Sequence, residues 1–111
     1  MDKLEQLFNK QKILQKRLFD IDLPNYRPEK FPITVTSIVS ELGEILEEAQ
    51  GWKDWRKNVP AVKRYELLYE VVDLWHFIIN LTLYCGIDYE ELHKYFLLKN
   101  AVNHQRQEDK Y

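Results

Sequence analysis

Two pairs of acidic residues interrupt segments that otherwise have the pattern of apolar helices. Glu41 and Glu44 form one pair, and Glu70 and Asp73 form the other. A spacing of three places both members of a pair on the same face of a helix. Because an unpaired buried charge is unstable, acids inside an apolar stripe imply a partner. Two such pairs facing each other would hold a hard divalent cation, since such ions prefer oxygen ligands.

Other interpretations of these acids exist. Solvated helix faces remain an alternative for Glu41 and Glu44. That alternative fits Glu70 and Asp73 poorly, because apolar residues surround them in the sequence. A di-iron carboxylate bundle would use two Glu-x-x-His motifs. The chain has one loose counterpart, from Asp73 to His76, so the acids favour Mg²⁺ or Mn²⁺.

Hydrophobic periodicity predicts four helices and no strand. The first runs from Lys3 to Phe19 and is followed by a proline-rich loop over 22–32. The second starts near Thr34 or Thr36 and stops at Gly51. The third extends over 60–85 with Pro60 in its first turn, and the fourth over 88–107 from a capping box at Asp88. The predicted fold is all-α, a compact bundle of about four main helices.

The length of 111 residues predicts a single domain covering 1–111. The segment from Leu67 to Leu83 is apolar nearly all round. A helix of that kind is buried on most sides, which a chain of this size achieves most readily at a subunit interface. We therefore expect a homodimer or a dimer of dimers, that is, a homotetramer.

Composition excludes several classes of protein. A formal net charge of -2 gives no basic field that would attract nucleic acid. The single cysteine excludes a disulfide framework and a cysteine-rich zinc site, and it suggests a cytoplasmic location. The longest apolar run, over 74–83, is too short to span a bilayer, and no signal region is expected. We therefore expect no nucleic-acid partner and no membrane partner.

The acidic pairs belong to a longer pattern. The segment 40–44 followed by Gly-Trp-Lys-Asp-Trp at 51–55 resembles the dimeric dUTPases, in which an acidic helix precedes an aromatic-Lys-x-Trp segment. The segment 73–77 is similar to their Asp-x-x-His-Phe, and 99–107 to their closing Lys-Asn-x-x-Asn-x-x-Arg-Gln. Gln11 matches a first-helix glutamine that contacts uracil. The chain thus resembles the all-α nucleoside triphosphate pyrophosphatase superfamily of dimeric dUTPases, MazG-type pyrophosphohydrolases and dCTP pyrophosphatases.

This resemblance implies an enzyme that converts a nucleoside triphosphate, with dUTP as the first expectation, to the monophosphate and pyrophosphate. The implied metal ligands for Mg²⁺, with Mn²⁺ as an alternative, are Glu41, Glu44, Glu70 and Asp73. Glu41 is the expected catalytic residue, which would accept the proton of the attacking water.

The resemblance also implies the substrate contacts. The expected phosphate-binding residues are Lys53, Lys99 and Arg106, and the expected nucleoside-binding residues are Gln11, Asn80 and Asn103. Two departures keep other functions open. Gln15 stands where the family has Asn or Asp, and Asn80 matches MazG-type proteins rather than dUTPases. The alternatives are a dCTP or broad-specificity pyrophosphohydrolase, and a helical interaction module without catalysis.

Overall fold

The computed structural model describes residues 2–50, 52–58 and 61–110. Within these ranges the chain forms four α-helices and no strand, which confirms the predicted all-α fold. The helices are α1 (Lys3–Phe19), α2 (Phe31–Ala49), α3 (Arg64–Tyr84) and α4 (Tyr89–Glu108), and a short 3-10 turn, Pro28–Lys30, precedes α2. No helix in the described ranges is both long and apolar enough to cross a membrane.

The predicted bounds of α1 are confirmed. The carboxylate of Asp2 accepts a hydrogen bond from the backbone N–H of Leu4 at 2.8 Å, which satisfies a donor at the helix start. Asp20 ends the helix in the left-handed conformation, with φ of 55°. Asp88 starts α4 as predicted, since its carboxylate accepts from the backbone N–H of Tyr89 at 2.8 Å.

The predicted start of α2 is wrong by three residues or more. The helix begins at Phe31, because Pro32 fits the first turn, where a backbone N–H is not needed. Neither threonine caps the helix. Instead, the hydroxyls of Thr34 and Thr36 each donate to a carbonyl one turn earlier, at 2.7 Å. The helix ends at Ala49, and the predicted stop residue Gly51 lies outside the described residues.

The predicted start of α3 is also too early, since residues 61–63 are not helical. Pro60 lies outside the described residues. The prediction that α3 is buried on most sides is wrong for the single chain. Leu68, Val72 and Trp75 are 47%, 40% and 57% exposed. These three side chains share one face of α3, at spacings of four and three, opposite the face that carries Glu70.

The core lies where α1, the end of α3 and the start of α4 meet. Phe8 and Leu83 are fully buried there, and Ile79 is nearly so. The loop before α2 is fastened to the same end, because Arg27 donates its backbone N–H to the carbonyl of Tyr84 at 2.7 Å. Helices α2 and α3 pack side by side as the most extensive helix pair. This pairing leaves the acidic half of α3 beside α2, away from the core.

Candidate functional site

Three of the four predicted acids converge between α2 and α3. One carboxylate oxygen from each of Glu41, Glu44 and Glu70 lies within 4.8 Å of the others. Glu41 and Glu70 are partly buried, whereas Glu44 is exposed. The convergence follows from the sequence, because the spacing of three aligns the first pair and the pairing of the two helices brings Glu70 opposite.

The cluster is electrostatically unfavourable without a cation. Burial, followed by the negative charge of Glu44, raises the pKa of the Glu41 carboxyl. Hydrogen bonding with Glu44 and then burial raise the pKa of Glu70 to about 7. The Oε2 atoms of Glu41 and Glu70 are buried and have no hydrogen-bond partner among the described residues. Buried oxygens without partners, in an all-carboxylate set, fit a hard divalent cation such as Mg²⁺.

Asp73 lies beside this cluster rather than within it. It is exposed on α3, three residues after Glu70 and on the same face of the helix. Its negative charge contributes to the raised pKa of Glu41, so the two carboxyl groups are close enough to interact. Its role as a fourth metal ligand stays a prediction.

A cavity of about 240 Å³ lies between α1, α2 and α3. Polar side chains from all three helices line it, among them Gln15, Ser37, Asn80 and Tyr84. Ser37 stands one helical turn before Glu41. One turn corresponds to about 5.4 Å along a helix axis. Along α2 the cavity therefore lies one turn before the acidic cluster. Along α3 its lining residue Phe77 follows Asp73, which lies beside the cluster, by one turn.

The two expected nucleoside-binding residues Gln11 and Asn80 contact each other. The side-chain Nε2 of Gln11 donates to Oδ1 of Asn80 at 2.7 Å, and also to the backbone carbonyl of His76 at 3.5 Å. Both residues are buried, at 4% and 7% exposure. Asn80 lines the cavity, whereas Gln11 is not among its lining residues. Gln11 therefore holds Asn80 from outside this cavity, and its direct contact with a base stays a prediction.

Sequence reasoning treated Gln15 only as a departure from a family pattern and did not single out Tyr84. In the structure both residues are buried and line the cavity, and the hydroxyl of Tyr84 donates to Oε1 of Gln15. A signal for Gln15 was present. Phe8, Gln11 and Gln15 follow each other at spacings of three and four, so one buried face of α1 carries all three.

The expected phosphate-binding residues are not gathered at the acids. Lys53 follows the end of α2, and its Nζ lies 3.7 Å from Glu47 and 5.3 Å from the ring of Trp52. The other two lie on α4 together with Asn103, all three exposed: Lys99, Asn103 and Arg106. In the described part of the chain α4 packs against α1 and does not approach α2. The reason is geometric, since α4 leaves from the end of α3 opposite the acids.

Comparisons with known proteins agree with this architecture. The dUTPase family model matches residues 3–92, a range that contains the acidic cluster and the cavity but ends within the first turn of α4. The chain is 27% identical over 143 positions to the dCTP pyrophosphatase of Enterobacteria phage T4, covering 99% of this chain and 83% of that protein. Because the alignment is longer than the 111 residues of this chain, the relative carries insertions.

Two further relatives match over part of their length. The dCTP pyrophosphatase of Enterobacteria phage LZ5 is 30% identical over 76 positions, covering 59% of this chain and 44% of that protein. A DNA replication protein of Enterobacteria phage T4 is 26% identical over 132 positions, covering 89% of this chain and 33% of that protein. No solved structure matches the chain significantly. From the family match over most of its length, the chain belongs to the all-α dUTPase-like family of nucleoside triphosphate pyrophosphohydrolases.

Proposed function

We propose that the chain hydrolyses a pyrimidine deoxynucleoside triphosphate, dUTP first, to the monophosphate and pyrophosphate, with Mg²⁺ or Mn²⁺ bound at the acidic cluster. The observation that carries this proposal is the convergence of Glu41, Glu44 and Glu70 one helical turn from a cavity lined by amides. A base in the cavity would place its triphosphate along α2 and α3 toward the acids.

Each acid has a role in this proposal. Glu41, Glu44 and Glu70 bind the metal ion. Asp73, on the same face of α3 as Glu70, is a further ligand. When bound, the ion neutralises phosphate charge and orients the attacking water. Glu41 accepts the proton of that water.

Two bases compete for the cavity. The family model is that of dUTPases, which favours uracil. Two relatives are named dCTP pyrophosphatases, which makes dCTP the second candidate. The cavity meets either base with the carboxamide side chains of Gln15 and Asn80, so the orientation of these amides decides between the two.

Pyrophosphate release from each deoxynucleoside triphosphate, with and without Mg²⁺, tests this proposal. We expect metal-dependent turnover of dUTP that Glu44→Gln reduces at least about a hundredfold, because the variant removes one anionic ligand. The matched control is Glu66→Gln on α3, since Glu66 is exposed and lies outside the cluster. Equal activity of Glu44→Gln and the wild type would contradict the proposed site.

We also propose that the working form is a homodimer or a dimer of dimers. The chain exposes 8711 Å². A compact monomer of 13.5 kDa would expose about 6,500 Å². The excess of about 2,200 Å² per chain matches what a subunit buries in an obligate dimer. The radius of gyration of 17.5 Å, against about 13 Å for a compact chain of this length, supports the same conclusion.

Helix α4 is the element that most needs a partner. Every residue over 93–110 is exposed, and the apolar side chains of Phe96, Leu98 and Val102 are 65%, 52% and 45% exposed. Within its own chain the start of α4 packs against the core and α1, and the rest of the helix is only marginally stable without a partner. In our proposal α4 packs on the second copy and brings Lys99 and Asn103 to the triphosphate bound there.

A defined heterodimer separates this arrangement from one in which α4 serves its own chain. Two differently tagged copies, one carrying Glu44→Gln and the other Lys99→Ala, would be co-expressed and purified together. If α4 acts in the other subunit, one of the two sites is intact and the heterodimer keeps about half of the wild-type activity. If α4 acts in its own chain, both sites are defective and activity stays at the level of the single variants.

A further inference from the structure

Two carboxamide side chains line the cavity, and the oxygen of each is already engaged by a donor. The hydroxyl of Tyr84 donates to Oε1 of Gln15. Nε2 of Gln11 donates to Oδ1 of Asn80 at 2.7 Å. Tyr84 also lines the cavity, whereas Gln11 approaches Asn80 from outside it. Both carboxamides therefore have a defined orientation before any ligand enters.

The orientation of Asn80 is fixed by the backbone. The Nε2 group of Gln11 also faces the carbonyl of His76 at 3.5 Å, and a carbonyl oxygen can only accept. Rotating the amide of Gln11 would place two oxygens against each other. Gln11 must therefore donate, and Asn80 must accept with its oxygen, which leaves the NH2 group of Asn80 for the cavity.

The orientation of Gln15 follows from Tyr84. In the structure the Tyr84 hydroxyl donates to Oε1 of Gln15, and this hydrogen bond holds the amide oxygen on the tyrosine. With its oxygen engaged, Gln15 turns its NH2 group away from the tyrosine. Among the described residues, none accepts a hydrogen bond from the NH2 group of Gln15 or of Asn80. Neither nitrogen is among the fully buried polar atoms that lack a partner, so both can be reached from the cavity. The cavity therefore presents two amide donors.

Two donors distinguish uracil from cytosine. Uracil carries carbonyl oxygens at positions 2 and 4, so both flanks of its pairing edge accept hydrogen bonds. Cytosine carries an amino group at position 4, which donates. We propose that Gln15 and Asn80, oriented by Tyr84 and Gln11, form a donor pair that selects uracil over cytosine. This inference rests on the proposed function, in which the base occupies this cavity.

The cost of a mismatch sets the expected selectivity. With cytosine, one amide donor would face the amino group and lose its hydrogen bond in a buried site. Sites built around a substrate's polar groups reject the wrong partner by large factors. We expect kcat/KM for dUTP to exceed that for dCTP by at least about a hundredfold in the wild type.

Tyr84→Phe is the decisive variant, because it removes one hydroxyl and keeps the ring. The amide of Gln15 can then rotate and accept from the amino group of cytosine. We expect the ratio of kcat/KM for dUTP to that for dCTP to fall about tenfold or more. The matched control is Tyr26→Phe, whose hydroxyl is exposed on the loop before α2 and outside the cavity.

A second variant keeps the test decisive if Tyr84→Phe folds poorly. Gln15→Glu replaces the NH2 donor with an acceptor while one oxygen can still accept from Tyr84. Binding of dUMP and dCMP, measured by calorimetry, should shift toward dCMP at least about tenfold. An unchanged ratio in both variants, or a wild type that prefers dCTP, would overturn the inference. Failure of the proposed function looks different, since neither nucleotide would then be hydrolysed.

Discussion

Mg²⁺ should stabilise the wild-type protein strongly at about pH 8 and only weakly at about pH 5. A ligand present at 100 times its Kd contributes about 2.7 kcal/mol. For 111 residues this raises Tm by roughly 10 °C. At about pH 5, two units below the Glu70 pKa of about 7, that carboxyl is protonated in roughly 99 of 100 molecules. Because Mg²⁺ must then displace the proton of Glu70, the apparent affinity for Mg²⁺ falls about a hundredfold. The rise in Tm on adding Mg²⁺ therefore shrinks to roughly 2 °C.

The metal-free protein should show the opposite dependence on pH. The folded chain keeps the Glu70 proton up to about pH 7, whereas the unfolded chain releases it near the ordinary value of 4.5. The folded state therefore binds more protons between these values, and stability falls as the pH rises through them. Thermal unfolding followed by circular dichroism, with Mg²⁺ or with a chelator at both pH values, measures both effects.

Two variants test whether Glu70 causes the pH dependence of the rise in Tm. Glu70→Gln should lose most of the rise in Tm with Mg²⁺ and should flatten the pH dependence of the metal-free protein. Glu66→Gln, one turn earlier on the same helix, should behave as the wild type, because Glu66 lies outside the cluster. An equal rise in Tm at both pH values, or an unaltered rise in Glu70→Gln, would show that Glu70 does not bind the metal ion.

Two further predictions concern the fold. Phe8→Ala should lower the free energy of unfolding by about 3–5 kcal/mol in urea titrations, because Phe8 is fully buried at the junction of α1, α3 and α4. A loss below about 1 kcal/mol would mean that the core lies elsewhere. Gly43→Ala should raise the free energy of unfolding by about 1 kcal/mol, since a Cβ there meets no atom within 4 Å and alanine favours helix. A loss of stability in Gly43→Ala would show that another surface packs closely on α2 at this position.

Local signals explain which parts of the fold were predictable. The bounds of α1 and the start of α4 depend on residues adjacent in sequence, above all the capping carboxylates of Asp2 and Asp88. The start of α2 is not predictable locally, because a proline such as Pro32 is compatible both with a loop and with a first helical turn. Prolines and threonines have two local roles each, and only the packing of the surrounding chain selects between them.

The acidic cluster was predictable for a different reason. The spacing of three placed Glu41 and Glu44 on one face of a helix, and the apolar surroundings of Glu70 implied that it meets a partner where the helices pack. The contacts in the cavity were not accessible in this way. Tyr84 and Gln15 are 69 residues apart in sequence, and no local pattern reports that their side chains meet. Nor could spacing show that α4 diverges from the acids, because that direction is set by the turn after α3.

The most direct test is a crystal structure of the protein with Mn²⁺ and a non-hydrolysable imido analogue of dUTP. We expect an anomalous manganese peak between the carboxylates of Glu41, Glu44 and Glu70, with the phosphates of the analogue on the ion and its uracil between Gln15 and Asn80. Manganese bound elsewhere at saturating concentration, or a uracil outside that cavity, would show that these acids and this cavity do not form the active site.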